Sequence, residues 1–232
     1  MNNENLIGQQ AMVKSIEILR KLCKAEIIPH ACQNERYLHH YYSKEIQEHF
    51  EIDFRNLEKS KLHPEWPTSK KSTGINCSKY RKNDENKYIV TTNGSSGFID
   101  FAIGDYKEPE FAIEFTSKYV FSREDLTYDF MKLLDDVNPF KNVISFNLIY
   151  REKGLPEGGD KQNIIDKLES IREDITKKEK GRNLKIAKQR RLLFWIVEID
   201  QKRKKRFWIC ENAECKFKVE EEIPDFNKYL SL

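Results

Sequence analysis

Two acidic side chains interrupt two otherwise apolar stretches of this chain. Asp100 lies within residues 98–103, and Glu114 lies within residues 111–115. A carboxylate in a buried strand is costly to desolvate unless it is paired or binds a metal ion. Oxygen ligands suit Mg2+ or Mn2+, and such an ion can polarise a phosphoryl group and generate a hydroxide nucleophile. The two acids therefore predict a divalent-cation site that could support phosphodiester hydrolysis.

A simpler explanation of the two acids stays open at this point. The chain contains 41 lysines and arginines, so Asp100 and Glu114 could each form an ordinary ion pair. A charged residue in an edge strand also protects a sheet against aggregation. The orientation of the two carboxylates distinguishes these explanations, because only convergent groups can share an ion.

The residues around the acids predict how they would be brought together. Residues 104–110, GDYKEPE, contain the glycine, aspartate and proline that are typical of a hairpin loop. Because side chains alternate along a strand, Glu114, Thr116 and Lys118 should share one face. If the hairpin register also places Asp100 on that face, two carboxylates, a hydroxyl and an ammonium group converge.

At these residues the chain resembles the PD-(D/E)XK, or restriction-endonuclease-like, superfamily of nucleases. The pattern of that superfamily is an aspartate on one strand, followed on the next strand by an acid, any residue and a lysine. Asp100 matches the first acid and Glu114 matches the second, whereas Thr116 occupies the lysine position. Some members of the superfamily carry the lysine elsewhere, which makes Lys118 and Lys132 the two candidates for its role.

The resemblance extends over roughly residues 30–150 and implies a DNA nuclease that depends on Mg2+ or Mn2+. Asp100 and Glu114 would hold the ion, and the lysine would support the water nucleophile. Members often add an acid from the helix before the sheet, and Glu35 and Glu45 are the candidates here. Glu35 is favoured because it lies one helical turn from His39, next to the apolar stripe. A first-turn glutamate also stabilises a helix through the helix dipole, so this structural role of Glu35 stays open as well.

Clusters of basic residues are the candidate contacts to a phosphate backbone. They occur in the loop at residues 61–71 and in two runs, residues 177–191 and 202–206. The residues singled out are Lys70, Lys71, Lys188, Arg190, Arg191, Lys202, Arg203, Lys204 and Lys205. Basic runs are also typical of solvated hairpin tips and helix faces, so a contact with DNA is one of two explanations.

A second class of function is a nuclease-fold module without catalysis, which binds nucleic acid or a protein partner. The threonine at the lysine position of the motif, Thr116, is the feature that favours it. Restriction-type enzymes often act as dimers, so a homodimer also stays open.

Composition limits the class of protein further. With 38% hydrophobic and 34% charged residues, and a mean hydropathy of −0.75, the chain is expected to be a soluble protein. The net charge of only +3 means that a nucleic-acid surface must arise from local clustering. No stretch approaches the ~20 apolar residues of a membrane span, the first residues lack the features of a secretion signal, and five scattered cysteines form no disulfide framework. We therefore expect a cytoplasmic protein without membrane contact.

Hydrophobic periodicity predicts the elements that position the acids. The predicted helices are residues 9–24, 34–50, 123–137 and 161–178, and the predicted strands are residues 88–92, 98–103, 111–115, 142–150, 192–199 and 206–210. Asn34 is the expected cap of the second helix, and the strand at 88–92 is expected to pair with the Asp100 strand through a turn at Asn93 and Gly94. Because Pro64 and Pro67 exclude a helix, residues 61–71 are expected to form a loop packed onto the core by Trp66.

These elements predict an α/β fold with a restriction-endonuclease-like core, in which helices flank a mixed central sheet. A helix plus a β-hairpin at the C-terminal end would elaborate this core. The predicted divisions are an N-terminal helix at residues 1–29, the nuclease-like core at 30–153 and the C-terminal extension at 154–232. The extension is expected to pack on the core, so that one structural domain results.

Overall fold

The computed structural model describes residues 6–24, 35–53, 55–56, 58–68, 80–86, 88–90, 96–118, 123–151, 161–176, 187, 190–202, 204–213 and 216–220. The helices are α1 (Leu6–Lys24), α2 (Glu35–Ile46), α3 (Arg123–Leu134) and α4 (Lys161–Thr176). The strands are β1 (Leu62–Pro67), β2 (Tyr80–Lys82), β3 (Tyr88–Val90), β4 (Phe98–Gly104), β5 (Pro109–Lys118), β6 (Asn142–Arg151), β7 (Arg191–Asp200), β8 (Lys205–Ala213) and β9 (Lys216–Glu220). None of the helices described is both long enough and apolar enough to cross a membrane.

Seven of the described strands form one mixed sheet in the order β1-β4-β5-β6-β7-β8-β9. Strands β5, β6 and β7 run parallel, and the pairs on either side of them are antiparallel. The parallel connections pass through α3 and α4, as crossovers between parallel strands usually do. The predicted mixed sheet flanked by helices is therefore confirmed. The predicted C-terminal hairpin is present as β7 and β8, and it continues this sheet.

Two of the described helices cover each face of the sheet. The face under α1 and α2 is lined on the helix side by buried residues that include Ile16, Leu19, Leu38 and Tyr42. The face under α3 and α4 is lined by buried residues that include Leu126, Phe130, Leu168 and Ile171. Strands covered on both sides carry nearly continuous apolar runs. In β7, for example, Trp195 packs in the first cluster and Phe194 in the second.

The first strand of the sheet corrects a prediction from the sequence. The prolines Pro64 and Pro67 suggested a loop, but the segment forms β1 and pairs antiparallel with β4, with Trp66 opposite Ile99. Within the described sheet β1 is an edge strand, where a proline without an N–H group interrupts no ladder on its outer side. The predicted packing of Trp66 onto the core is confirmed, because its side chain is buried.

The predicted pairing of residues 88–92 with the Asp100 strand was wrong. Strand β3 pairs instead with β2 in a separate two-stranded sheet, because β1 already occupies the free side of β4. The hydroxyl of Tyr80 in β2 donates to Asp135 Oδ2 at 2.9 Å, which ties this small sheet to the end of α3. The expected cap Asn34 and the expected turn at residues 93–94 lie outside the described residues.

The hairpin of β4 and β5 forms as predicted. Phe101 pairs with Ile113, and the register shifts only at Gly104, next to the connecting loop. Gly104 has a φ of 131°, a conformation that side-chain-bearing residues rarely adopt. Extended by one residue beyond Phe101, this register places Asp100 across from Glu114.

Candidate active site

The sheet opens between β4 and β5 at the level of the two acids. The pairing of β4 with β5 ends at Phe101, whereas β5 stays paired with β6 to its last residue. Beyond this point the Phe115 N–H donates to Asp100 Oδ2 at 2.7 Å, and the Ser117 N–H donates to Glu35 Oε2 at 3.1 Å. Two carboxylates thus satisfy backbone donors that lie beyond the end of this ladder.

Asp100 lies at a break in the side-chain alternation of β4. Ile99 packs in the cluster under α3 and α4, whereas Phe101 packs in the cluster under α1 and α2. A regular strand would place these two residues on the same face. Glu65, at the corresponding position of β1 in the register, has a left-handed φ of 51°. The irregularity lets Asp100 meet groups from both faces of the sheet.

On the α3 side, Glu114 meets a largely buried lysine. Lys132 Nζ lies 2.5 Å from Glu114 Oε1 and 3.2 Å from Asp129 Oδ1. The same ammonium donates to the carbonyl of Phe98 at 3.1 Å. The hydroxyl of Thr116 donates to Asp129 Oδ2 at 3.2 Å. Thr116, which occupies the lysine position of the motif, therefore binds Asp129, and Asp129 in turn contacts Lys132 of α3.

Burial and neighbouring charges shift the pKa values of this group. Burial raises the pKa of Glu114 well above its ordinary value; Lys132 opposes this rise, and Asp100 and Asp129 add to it. Burial also raises the pKa of Asp129, again opposed by Lys132. For Lys132, burial acts to lower the pKa, but Glu114 and Asp129 outweigh it and raise the pKa above its ordinary value. The lysine is therefore a fixed cation among crowded acids.

On the α2 side, Asp100 meets His39. His39 Nε2 lies 3.3 Å from Asp100 Oδ2. The imidazole packs against Phe101 and Phe115, with ring centroids 5.7 and 5.5 Å apart. Burial acts to lower the pKa of His39, but contact with Asp100 and the charges of Asp100 and Glu35 raise it overall. The aromatic neighbours fix the position of the ring.

Glu35, the predicted helix acid, also reaches this site. Burial raises the pKa of its carboxyl, the hydrogen bond from the Ser117 N–H opposes this, and the charge of Asp100 adds to it. Glu35, the first residue of α2, thus binds the end of β5 and lies close enough to Asp100 to feel its charge.

A convergent group of ligand atoms is centred on Asp100. His39, Glu65 and Asp100 each offer an atom that lies within 4.8 Å of the others. They come from α2, β1 and β4. Glu114 is not a member of this group, and its Oε1 contacts Lys132. Of the two acids predicted to hold a metal ion, Asp100 therefore lies among further ligand groups, and Glu114 lies beside a cation.

The two lysines predicted as alternatives have different positions. Lys118 is the last residue of β5 and lies beside Ile149 of β6. Lys132 makes the contact with Glu114. Of these two lysines, Lys132 is therefore the one shown in contact with a predicted site acid.

One of the predicted phosphate contacts has a structural role instead. Arg190 is buried, with 7% of its surface exposed. Its guanidinium donates to the backbone carbonyls of Leu133, Asp135, Asn138 and Phe140. A guanidinium bound in this way holds the segment between α3 and β6 and does not face a ligand. Arg190 is therefore a structural residue and not a contact to DNA.

The other basic candidates have varied surroundings. Arg191 Nη2 lies 3.0 Å from Glu211 Oε1, and Lys205 Nζ donates to the carbonyl of Cys23 at 2.7 Å. Lys202 and Lys204 are exposed in the turn between β7 and β8. The candidates outside the described residues are Lys70, Lys71, Lys188 and Arg203.

Sequence reasoning did not assign three residues that the structure brings to the site. His39 lies one helical turn after Glu35, and Asp129 lies one turn before Lys132, so helix spacing was a usable signal for both. Glu65 gave no such signal, because its position depends on a strand that the prolines concealed.

No family model matches this chain, and no curated protein or solved structure is significantly similar to it. Inference about function therefore depends on the chemistry of the site.

Proposed function

We propose that this protein is a metal-dependent nuclease of the restriction-endonuclease-like, PD-(D/E)XK type, which hydrolyses phosphodiester bonds in DNA with Mg2+ or Mn2+. The observation that carries the proposal is the contact of Lys132 with Glu114 at the point where the pairing of β4 and β5 ends, with Asp100 across from Glu114 in the extended register. These are the three kinds of group in the motif. The lysine comes from α3, and Thr116 binds Asp129 beside it.

The donor groups suit a hard divalent cation. Asp100 and Glu114 offer carboxylate oxygens, the ligands that Mg2+ and Mn2+ prefer. Burial raises the pKa of Glu114, and the charges of Asp100 and Asp129 add to the rise, so a cation near these acids would relieve their repulsion. When bound, such an ion polarises the phosphoryl group and lowers the pKa of a water molecule.

Lys132 has the properties of an electrostatic catalyst. Its raised pKa keeps the ammonium charged near neutral pH, so it donates hydrogen bonds and does not act as a base. A fixed cation at this position stabilises the negative charge that develops on a phosphoryl group under attack. Asp129 and Glu114 hold the ammonium in place, and Thr116 orients Asp129.

A binding module without catalysis is the second candidate. The observation that favours it is the 2.5 Å contact between Lys132 Nζ and Glu114 Oε1. The ammonium of Lys132 can neutralise Glu114 and so take the place of a metal ion that Glu114 would otherwise bind. In this case the site would stabilise the fold, and the molecule would bind nucleic acid or a protein by its surface.

Cleavage assays distinguish the two candidates. Purified protein is incubated with duplex DNA, single-stranded DNA and RNA, with Mg2+, Mn2+ or EDTA, and the products are separated on gels. We expect metal-dependent cleavage that falls by at least about 100-fold in Asp100→Asn and Glu114→Gln. Glu108→Gln, in the exposed loop after β4, is the matched control and should cleave like the wild type. Absence of cleavage under all these conditions, or full activity of Asp100→Asn, would contradict the nuclease proposal.

A further inference from the structure

Nε2 of the His39 imidazole is buried, and within the described part of the chain its contact with Asp100 falls short of good hydrogen-bond geometry. This nitrogen, Nε2, lies 3.3 Å from Asp100 Oδ2 without forming a good hydrogen bond. Asp100 Oδ2 already accepts the N–H of Phe115. A buried polar atom with only this long contact is incompletely satisfied, so a stronger partner for His39 Nε2 would be favourable.

Three separate elements, α2, β1 and β4, contribute ligand groups to this cluster. Atoms of His39, Glu65 and Asp100 all lie within 4.8 Å of one another. Two ligands that each lie about 2.1 Å from one ion can be at most about 4.2 Å apart. The separations are therefore close to those of a coordinated ion, and small side-chain rotations would close the difference.

The ligand types select among metal ions. Mg2+ favours an octahedral shell of oxygen atoms and keeps several waters. An imidazole nitrogen suits first-row transition metals such as Fe, Ni and Zn. The ring is already positioned by Phe101 and Phe115, so little side-chain freedom would be lost on binding.

We propose that His39, Glu65 and Asp100 bind a first-row transition-metal ion in preference to Mg2+. A role of this ion in catalysis rests on the proposed nuclease function, whereas its binding does not. The imidazole of α2 would then determine which metal the site takes.

Metal binding by the full chain tests the proposal directly. Co2+ and Mg2+ are titrated separately by calorimetry, and the visible spectrum of bound Co2+ is recorded as a report on its ligands. Wild-type protein should bind Co2+ at least about tenfold more tightly than Mg2+. His39→Phe retains an aromatic ring between Phe101 and Phe115 and should lose at least about tenfold in Co2+ affinity, with a changed Co2+ spectrum.

Two further variants sharpen the test. Glu65→Gln removes a charged ligand and should weaken the binding of Co2+ by about tenfold or more. His40→Phe alters the exposed neighbour of His39 in the same helix and should bind Co2+ like the wild type. The thermal unfolding temperatures without metal show whether each variant is folded.

Some outcomes would overturn the assignment. Co2+ affinity no higher than Mg2+ affinity, or unchanged Co2+ binding by both His39→Phe and Glu65→Gln, would contradict it. If Co2+ binds through His39 but no nucleic acid is cleaved, the metal site stands and the nuclease proposal fails. If Asp100→Asn abolishes Mg2+-dependent cleavage while Co2+ binding is indifferent to His39→Phe, the nuclease proposal stands and this site fails.

Discussion

Lys132 compensates two buried carboxylates at once. Its ammonium contacts Glu114 and Asp129, and 16% of its side chain is exposed, against 3% for Glu114. Loss of one partner from a buried ion pair is much more damaging than loss of the whole pair, because it leaves an uncompensated charge. Lys132 should therefore matter for stability as well as for chemistry.

We expect Lys132→Met to lower the free energy of unfolding by about 3–5 kcal/mol, measured by urea denaturation near neutral pH. The double variant Lys132→Met with Glu114→Gln should recover part of this loss, because the uncompensated charge is reduced. Lys118→Met is the control on β5 and should change stability by about 1 kcal/mol or less. Equal effects of the two lysine variants would show that the buried pair does not form.

His63 provides a pH-dependent term in the stability of the fold. Burial lowers the pKa of His63 below its ordinary value of 6.5 and outweighs the hydrogen bond to the Gly104 carbonyl. The unfolded state therefore takes up a proton at higher pH than the folded state does. The stability from neutral His63 is present above pH 6.5 and is lost as the pH falls below it.

His63→Gln should thus flatten the decline in unfolding free energy between about pH 7 and pH 5. Urea denaturation at several pH values gives the slopes. His49 is exposed, and His49→Gln should keep the wild-type slope. A wild-type slope in His63→Gln would mean that other groups govern the acid dependence.

Among the elements, the hairpin of β4 and β5 sets the position of the two motif acids. Gly104 has a φ of 131°, and a Cβ added there would lie 2.8 Å from Glu110 N. Both the conformation and the close backbone contact exclude a side chain without local rearrangement. The register of Asp100 relative to Glu114 depends on this turn.

Gly104→Ala should therefore lower the free energy of unfolding by about 1–3 kcal/mol, as measured by urea denaturation. Gly97→Ala is the matched control, since its new Cβ would meet the side chains of Tyr80 and Lys132 at 3.1 and 3.2 Å. Side chains can shift more easily than backbone, so the loss there should be smaller. A larger loss at Gly97 would indicate that the turn tolerates rearrangement.

The sequence predicted the elements whose pattern is local. The apolar run of β7 and the paired acids of β4 and β5 gave correct strands, because period and turn residues are local signals. Strand β1 was not predicted, because its prolines fit a sheet only in an edge strand. The sequence does not indicate which strand lies at the edge of the sheet. The misassigned partner of β3 follows from the same omission.

For the site, too, the sequence predicted the residues with a local pattern and missed one that depends on long-range pairing. Asp100, Glu114 and Lys132 follow from a strand motif and a helix, and the structure brings them close enough for Asp100 to raise the pKa of Glu114. Glu65 was not predictable, because it reaches Asp100 only through long-range pairing and a left-handed φ. Contacts that depend on tertiary register leave no periodic trace in the sequence.

At the scale of the whole molecule, a basic turn lies beyond the carboxyl ends of the parallel strands, the end of the sheet toward which β4 and β5 separate. Glu114 of β5 is level with Ser145 of β6 and Phe194 of β7, and β7 continues for six residues to Asp200. The turn that follows Asp200 carries the exposed Lys202 and Lys204. A net charge of +3 gives little general attraction for DNA, so such local groups should supply the backbone contacts.

The double variant Lys202→Gln with Lys204→Gln tests this arrangement under the proposed function. Binding to duplex DNA is measured by fluorescence anisotropy over a range of salt concentrations, without divalent metal so that no cleavage occurs. If both lysines contact phosphates, the variant should bind more weakly and the salt dependence should decrease by about 0.9 per lost contact. The double variant Lys59→Gln with Lys107→Gln removes the same charge from exposed positions at the opposite end of the strands, near Gly104. That end of the strands points away from Asp100 and Glu114, so we expect this control variant to lose less affinity for DNA. Equal losses in the two double variants would mean that DNA does not bind on the side of the molecule that carries the site.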